Sequence, residues 1–118
     1  MAGMVDAGKN LMLNGFTTGV THVSLHTADP STGGTSEVSA SPYTREAISW
    51  ASAASGSLQN SAQVVFDVPG GTTITHLGYW SASTSGTFYG SRALDTNQTF
   101  ATAGTYTLGA NLITESIT

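Results

Sequence analysis

Up to about residue 15 the apolar residues of this chain are spaced for a helix, and from residue 20 onward they alternate with polar ones at the two-residue period of strands. Met4, Val5, Leu11 and Met12 fall near i, i+1, i+7 and i+8 of one stripe, predicting a helix over residues 4–14 with Gly15 at its C-terminal cap. Gly8 weakens that helix by about 1 kcal/mol relative to alanine. In residues 20–27, Thr21, Val23, Leu25 and Thr27 alternate with Val20, His22, Ser24 and His26, the pattern of a half-buried strand with a polar face. The proline- and glycine-bearing run over 28–43 predicts a long surface loop.

Strands are expected again at 44–50 and at 62–68, where Val64, Phe66 and Val68 make the apolar face and Asp67 points outward. A turn at 69–72 leads into the most strand-like run, 73–82, and a short reversal over 83–87 leads to its antiparallel partner at 88–94. Runs at 104–109 and 111–118 complete the set. The fold class expected is all-β: an antiparallel β-sandwich, jelly-roll-like or immunoglobulin-like, with a short N-terminal helix. Residues 1–19 would form the helix, a candidate docking arm, and residues 20–118 the sandwich domain. Residues 20–28 and 74–82 also echo each other, "VTHVSLHTA" against "ITHLGYWSA", as two strands in similar environments would.

Composition narrows the function classes. The chain has 118 residues, enough for one domain with a modest core, and no cysteine, so disulfide frameworks and thiolate chemistry are excluded. Only 8% of residues are charged, against roughly a quarter in ordinary soluble domains. Lys9, Arg45 and Arg92 are the only firm cations and the net charge is −4. Three cations cannot neutralise a run of phosphates, so no nucleic-acid partner and no polybasic membrane anchor is expected. No apolar run approaches the roughly 18 residues needed to cross a bilayer, and no signal-peptide pattern opens the chain, so synthesis in the cytoplasm is expected. Strand edges this poor in charge suit a protein whose edges are covered by neighbours.

Candidate chemistry is sparse. His22 and His26 lie on one strand face about 13 Å apart at roughly 3.3 Å per residue, too far to share a zinc ion that holds each nitrogen at roughly 2.0–2.1 Å. A metal site would need His76 from a neighbouring strand with Asp29 or Glu46, and the simpler reading is two polar-face histidines. There is no nucleophile elbow, no phosphate-binding glycine motif and no pair of carboxylates placed for general acid–base work. Neither an enzyme, a cofactor nor a metal is therefore expected. Tyr79 and Trp80 should face opposite sides of the sheet, one in the core and the other a possible anchor for a carbohydrate or protein partner. Glu46 and Asp95 are local options for pairing Arg45 and Arg92.

Three stretches in order carry a resemblance: "VSLHTADPSTGGTSEVSASPYTREAISW", "SGSLQNSAQVVFDVPGGTTITHLGYWSASTSGTFYGSRAL" and "GTYTLGANLIT". They resemble small virion proteins of tailed bacteriophages, especially phages of actinobacteria. Members of that family run a strand into L-H/Y-T-x-D-P and a glycine-rich loop. E-V-S…Y-x-R, N-S-A-x-V-x-F and V-T-H-x-G-x-[WF] then follow. The resemblance covers nearly the whole chain after residue 20 and implies a β-sandwich-like fold with a non-enzymatic role in the virion.

Such proteins are labelled tail-fibre-like, minor tail or minor capsid proteins. Within that range the leading expectation is a capsid decoration protein on the outer surface of the capsid lattice, since shaft repeats and coiled-coil heptads are absent. The alternative is a tail-fibre or tail-tip module that contacts host-surface glycans. Expected partners are the major capsid protein or other virion proteins, with further copies of the chain itself. Candidate contact residues are Met4, Val5, Leu11 and Met12 on the helix, Asp29 and Pro30 in the loop, and Tyr79 and Trp80 on the sheet.

Overall fold

A computed structural model of the protein describes residues 5–55, 57–109 and 114–116. Met4, one of the helix-stripe candidates, lies outside the described residues. The elements in chain order are α1 (Asp6–Gly19), β1 (His22–His26), β2 (Glu46–Ala47), β3 (Ser57–Gln59), β4 (Val64–Val68), β5 (Thr72–Trp80), β6 (Phe88–Phe100), β7 (Gly104–Leu108) and β8 (Thr114–Ser116). They form a four-stranded sheet in the order β2-β1-β5-β6 and two smaller pairs, β3-β8 and β4-β7. Every pairing is antiparallel. The fold is all-β with one N-terminal helix, consistent with a sandwich.

The register explains how the core is built. β1 and β5 pair Val23 with Tyr79 and Leu25 with Leu77, so these four side chains share one face of the sheet. That face joins Val64, Phe66, Val68 and Leu108 of the β4–β7 pair in a single apolar cluster. Burial along β4 alternates strictly, with Asp67 outward as its position in the sequence requires. The two echoing segments turn out to be neighbours: they run side by side as β1 and β5, and their matched positions fall on the same faces.

Three expectations shift, each for a local reason, and one strand was not anticipated. The helix does not stop at Gly15 but runs to Gly19. Gly15 faces open space, while Phe16 on the next position makes edge-on contacts with Trp50 at 5.5 Å and Tyr79 at 5.4 Å. The strand expected over 44–50 shrinks to Glu46–Ala47, because Arg45 and Tyr43 just before it turn their side chains to another task. β6 extends six residues beyond the expected end, its polar second half laddering with the start of β5 through pairs such as Thr73 with Thr99. The short strand β3 has no alternating signal of its own and is defined by its partner β8.

α1 is seated on the rest of the fold through its Leu13–Phe16 side. Leu13 is buried, Phe16 closes an aromatic cluster with Trp50 and Tyr79, and Asn14 Oδ1 accepts the Ala53 N–H at 3.1 Å. The Trp50 indole N–H donates to the carbonyl of Val20 at 3.0 Å, fixing the chain where it leaves the helix. The stripe that defined the helix in the sequence points the other way: Val5, Leu11 and Met12 are exposed.

Candidate functional site

The second face of the four-stranded sheet holds Ser24, His26, Gly78 and Trp80. All four are buried, so His26 lies on the polar face as expected but closed to solvent, while His22 and His76 on the same face are partly exposed. The closure comes from the 28–45 segment, a long surface loop as expected, which folds back over the sheet and buries Pro30, Val38 and Tyr43. Thr27 N–H donates to Ser36 O and Val38 N–H to Leu25 O, both at 3.0 Å, tying the segment to β1. The Pro30 carbonyl accepts from the backbone N–H groups of Gly34 and Thr35, making a compact turn in which the Pro30 ring is fully buried.

A chain of hydrogen bonds runs through this layer. The Trp80 indole N–H donates to Ser24 Oγ at 2.8 Å, and Ser24 Oγ lies 2.6 Å from His26 Nε2. His26 Nδ1 lies 2.7 Å from the Thr35 carbonyl, which can only accept. The proton therefore sits on Nδ1, and Nε2 accepts from the serine hydroxyl. Burial lowers the His26 pKa and outweighs the Thr35 hydrogen bond, which acts the other way, so the ring is neutral at neutral pH. Gly78 is a consequence of this network. A Cβ there would collide with Ser24 Oγ and His26 Nε2.

Above Trp80 lies a second layer. Gly34, at φ +72°, crosses the indole so closely that a Cβ would come within 2.7 Å of its ring carbons. The Arg45 guanidinium stacks on the same ring, its Cζ 3.6 Å from the centroid. Arg45 then grips Glu37 with two parallel bonds, Nε to Oε2 at 2.9 Å and Nη2 to Oε1 at 3.0 Å. Its remaining arm, Nη1, donates to the carbonyls of Ala82 at 3.1 Å and Ser85 at 2.8 Å in the turn between β5 and β6. The Tyr43 hydroxyl donates to Glu37 Oε2 at 2.8 Å and accepts the Leu25 N–H at 3.0 Å. Burial pushes the Tyr43 phenol pKa well up, so it remains a donor.

Arg45 thus pairs with Glu37 and not with its neighbour Glu46, which takes the Thr44 hydroxyl instead. Asp95, the option for Arg92, has a side chain outside the described ones. Between the 37–45 segment and the 83–85 turn is an open cleft of about 330 Å³, lined by Glu37, Val38, Tyr43 and Arg45 with Ser and Thr side chains at its rim.

The sequence-derived contact candidates separate cleanly. Tyr79 is 3% and Trp80 8% exposed, so neither is the surface anchor expected of one of them. Their sheet is covered on both sides, by the apolar cluster and by the 28–45 segment, which alternation alone cannot reveal. Pro30 is corrected likewise to an interior residue. Asp29 is exposed, and its carboxylate accepts the Ser31 N–H at 2.8 Å in a local turn. Val5, Leu11 and Met12 lie outward on the helix, far from the cleft in sequence and not part of its lining. Among the described residues no three His, Asp or Glu side chains converge as a metal site requires.

Alternation missed Glu37, Tyr43 and Arg45, yet they are the fixed letters of the E-V-S…Y-x-R segment, as Gly78 and Trp80 are of the T-H-x-G-x-W segment. The scattered motifs meet in one buried layer.

Residues 6–116 match the protein family described as Podophage GP4 fiber I protein gp80. No curated protein matches the chain.

Proposed function

The chain belongs to the podophage GP4 fiber I protein family, which makes it a bacteriophage virion structural protein, and we propose that it serves as a tail-fibre or tail-tip module. The observation that carries this reading is the extent of the family match, which takes in both the helix and the sheets, at residues 6–116. The family's description favours a fibre over the capsid decoration expected from size and weakly charged edges. The absence of shaft repeats is accommodated by a tip or adaptor, and the domain is elongated, 47 × 25 × 22 Å.

In this reading the protein is non-catalytic and works by contact. The outward helix residues Leu11 and Met12 face other virion proteins or further copies of the chain, and the loop end carrying the cleft faces the host surface. A capsid lattice repeats its decoration on the order of hundreds of times, whereas a symmetric tail structure holds roughly a dozen copies or fewer. Quantitative mass spectrometry of purified particles, scaled to the major capsid protein, is expected to give the low number. A copy number in the hundreds would return the protein to the capsid surface.

A further inference from the structure

The cleft between the 37–45 segment and the β5–β6 turn has the features of a built site. At about 330 Å³ it lies at the lower end of the roughly 300–1,000 Å³ range of small-molecule pockets. Its two walls are held by a single side chain: Arg45 binds Glu37 on one wall and the Ala82 and Ser85 carbonyls on the other. Ser85 adopts φ +52°, a conformation uncommon for a residue with a Cβ, and its carbonyl is one of the two that Arg45 holds. A ligand would therefore meet walls already ordered, and would not bear the entropy of ordering them.

The lining also selects the chemistry of that ligand. Its charged groups, Glu37 and Arg45, neutralise each other through a two-bond pair, so neither an anion nor a cation finds an unmatched counter-charge. What remains are the hydroxyls of Ser39, Ser83, Thr84 and Ser85, able to donate and to accept, and that of Thr44, which donates to Glu46 and can still accept, around the apolar surface of Val38 and Tyr43. Such a surface complements a neutral molecule with many hydroxyls and apolar C–H patches. We infer that this cleft is a subsite for a neutral saccharide. The inference deepens the host-contact reading above and rests on it for biological meaning, but the binding itself can be tested apart.

The test uses the full chain, isotope-labelled, titrated with glucose, galactose, mannose, rhamnose and N-acetylglucosamine, each followed by amide chemical shifts. The expected result is that at least one sugar shifts residues 37–45 and 81–87. Thr84→Trp, at an exposed turn position, fills the cleft mouth and should weaken that binding by roughly tenfold or more, with an otherwise unchanged spectrum. No shift with any of the five, shifts confined elsewhere, or equal binding by Thr84→Trp would each overturn the assignment. Adsorption of the tagged chain to host cells separates the two claims. Equal adsorption of wild type and Thr84→Trp removes the cleft and leaves the fibre reading. Sugar shifts in the cleft with no adsorption by wild type leave the cleft and remove the host-contact role.

Discussion

On one face of the four-stranded sheet, Val23, Leu25, Leu77 and Tyr79 are buried against Val64, Phe66, Val68 and Leu108 by apolar contact. On the other, Ser24, His26 and Trp80 are buried as deeply, but each brings a polar atom that has to be met. Apolar burial scales with area and tolerates small shifts. Buried polar groups bind at fixed distances and angles, and an unmatched one is costly. The first face therefore supplies most of the stability, and the second fixes where the 28–45 segment and the β5–β6 turn sit. Position is what a contact surface needs, and Arg45, stacked on Trp80 of the second face, ties the two walls of the cleft together.

The largest expected effect lies on the apolar face. Phe66 is fully buried at its centre, stacked near Tyr43 and tilted against Tyr106, and Phe66→Ala should cost about 3–5 kcal/mol in urea unfolding. A loss below about 1 kcal/mol would mean that this face is not the main source of stability. Next comes Glu37→Ala, which strips the carboxylate from Arg45 and the acceptor from Tyr43, at roughly 1.5–3 kcal/mol. Its sharper readout is local: amide exchange should accelerate in residues 30–45 and 81–87 while β4 and β7 stay protected. Uniform acceleration would erase the distinction between the faces.

The apolar face was legible because alternation reports it directly, as in Val64, Phe66 and Val68. The polar face was not, because its partners are far apart along the chain: Ser24 meets Trp80 and Arg45 meets Ser85. No local period encodes such pairs. Polar residues at strand positions read as solvent-facing until the segment that covers them is known, and this hid the burial of His26 and Trp80. On the helix the apolar stripe of Val5, Leu11 and Met12 faces outward, where contact candidates have to be, and the seat is made by Leu13 with Phe16, which the stripe did not reveal. The ordered motifs did carry the missing information, since Glu37, Tyr43, Arg45, Gly78 and Trp80 are among their fixed letters.

A smaller effect distinguishes the faces by pH. His26 is neutral when folded, with its pKa held below the 6.5 of the free side chain. The unfolded chain thus takes up a proton first as pH falls, and the associated stability is complete above about 6.5 and lost below it, down to the folded pKa. Thermal melts across this window should show a declining Tm, with a shallower decline in His26→Gln. An identical slope in the variant would remove His26 as the source. The smallest effect is on the outer helix: Leu11→Ser with Met12→Ser should change stability within about 0.5 kcal/mol, since both are exposed. A larger loss would show that this stripe is packed after all.

In the proposed reading the loops held by the polar face lie at the outside of a fibre, directed at the host. Gold-labelled antibody raised against residues 81–87, applied to intact particles and viewed by electron microscopy, tests that placement directly. Label at the tail fibres is the predicted result, and label spread over the capsid would contradict it.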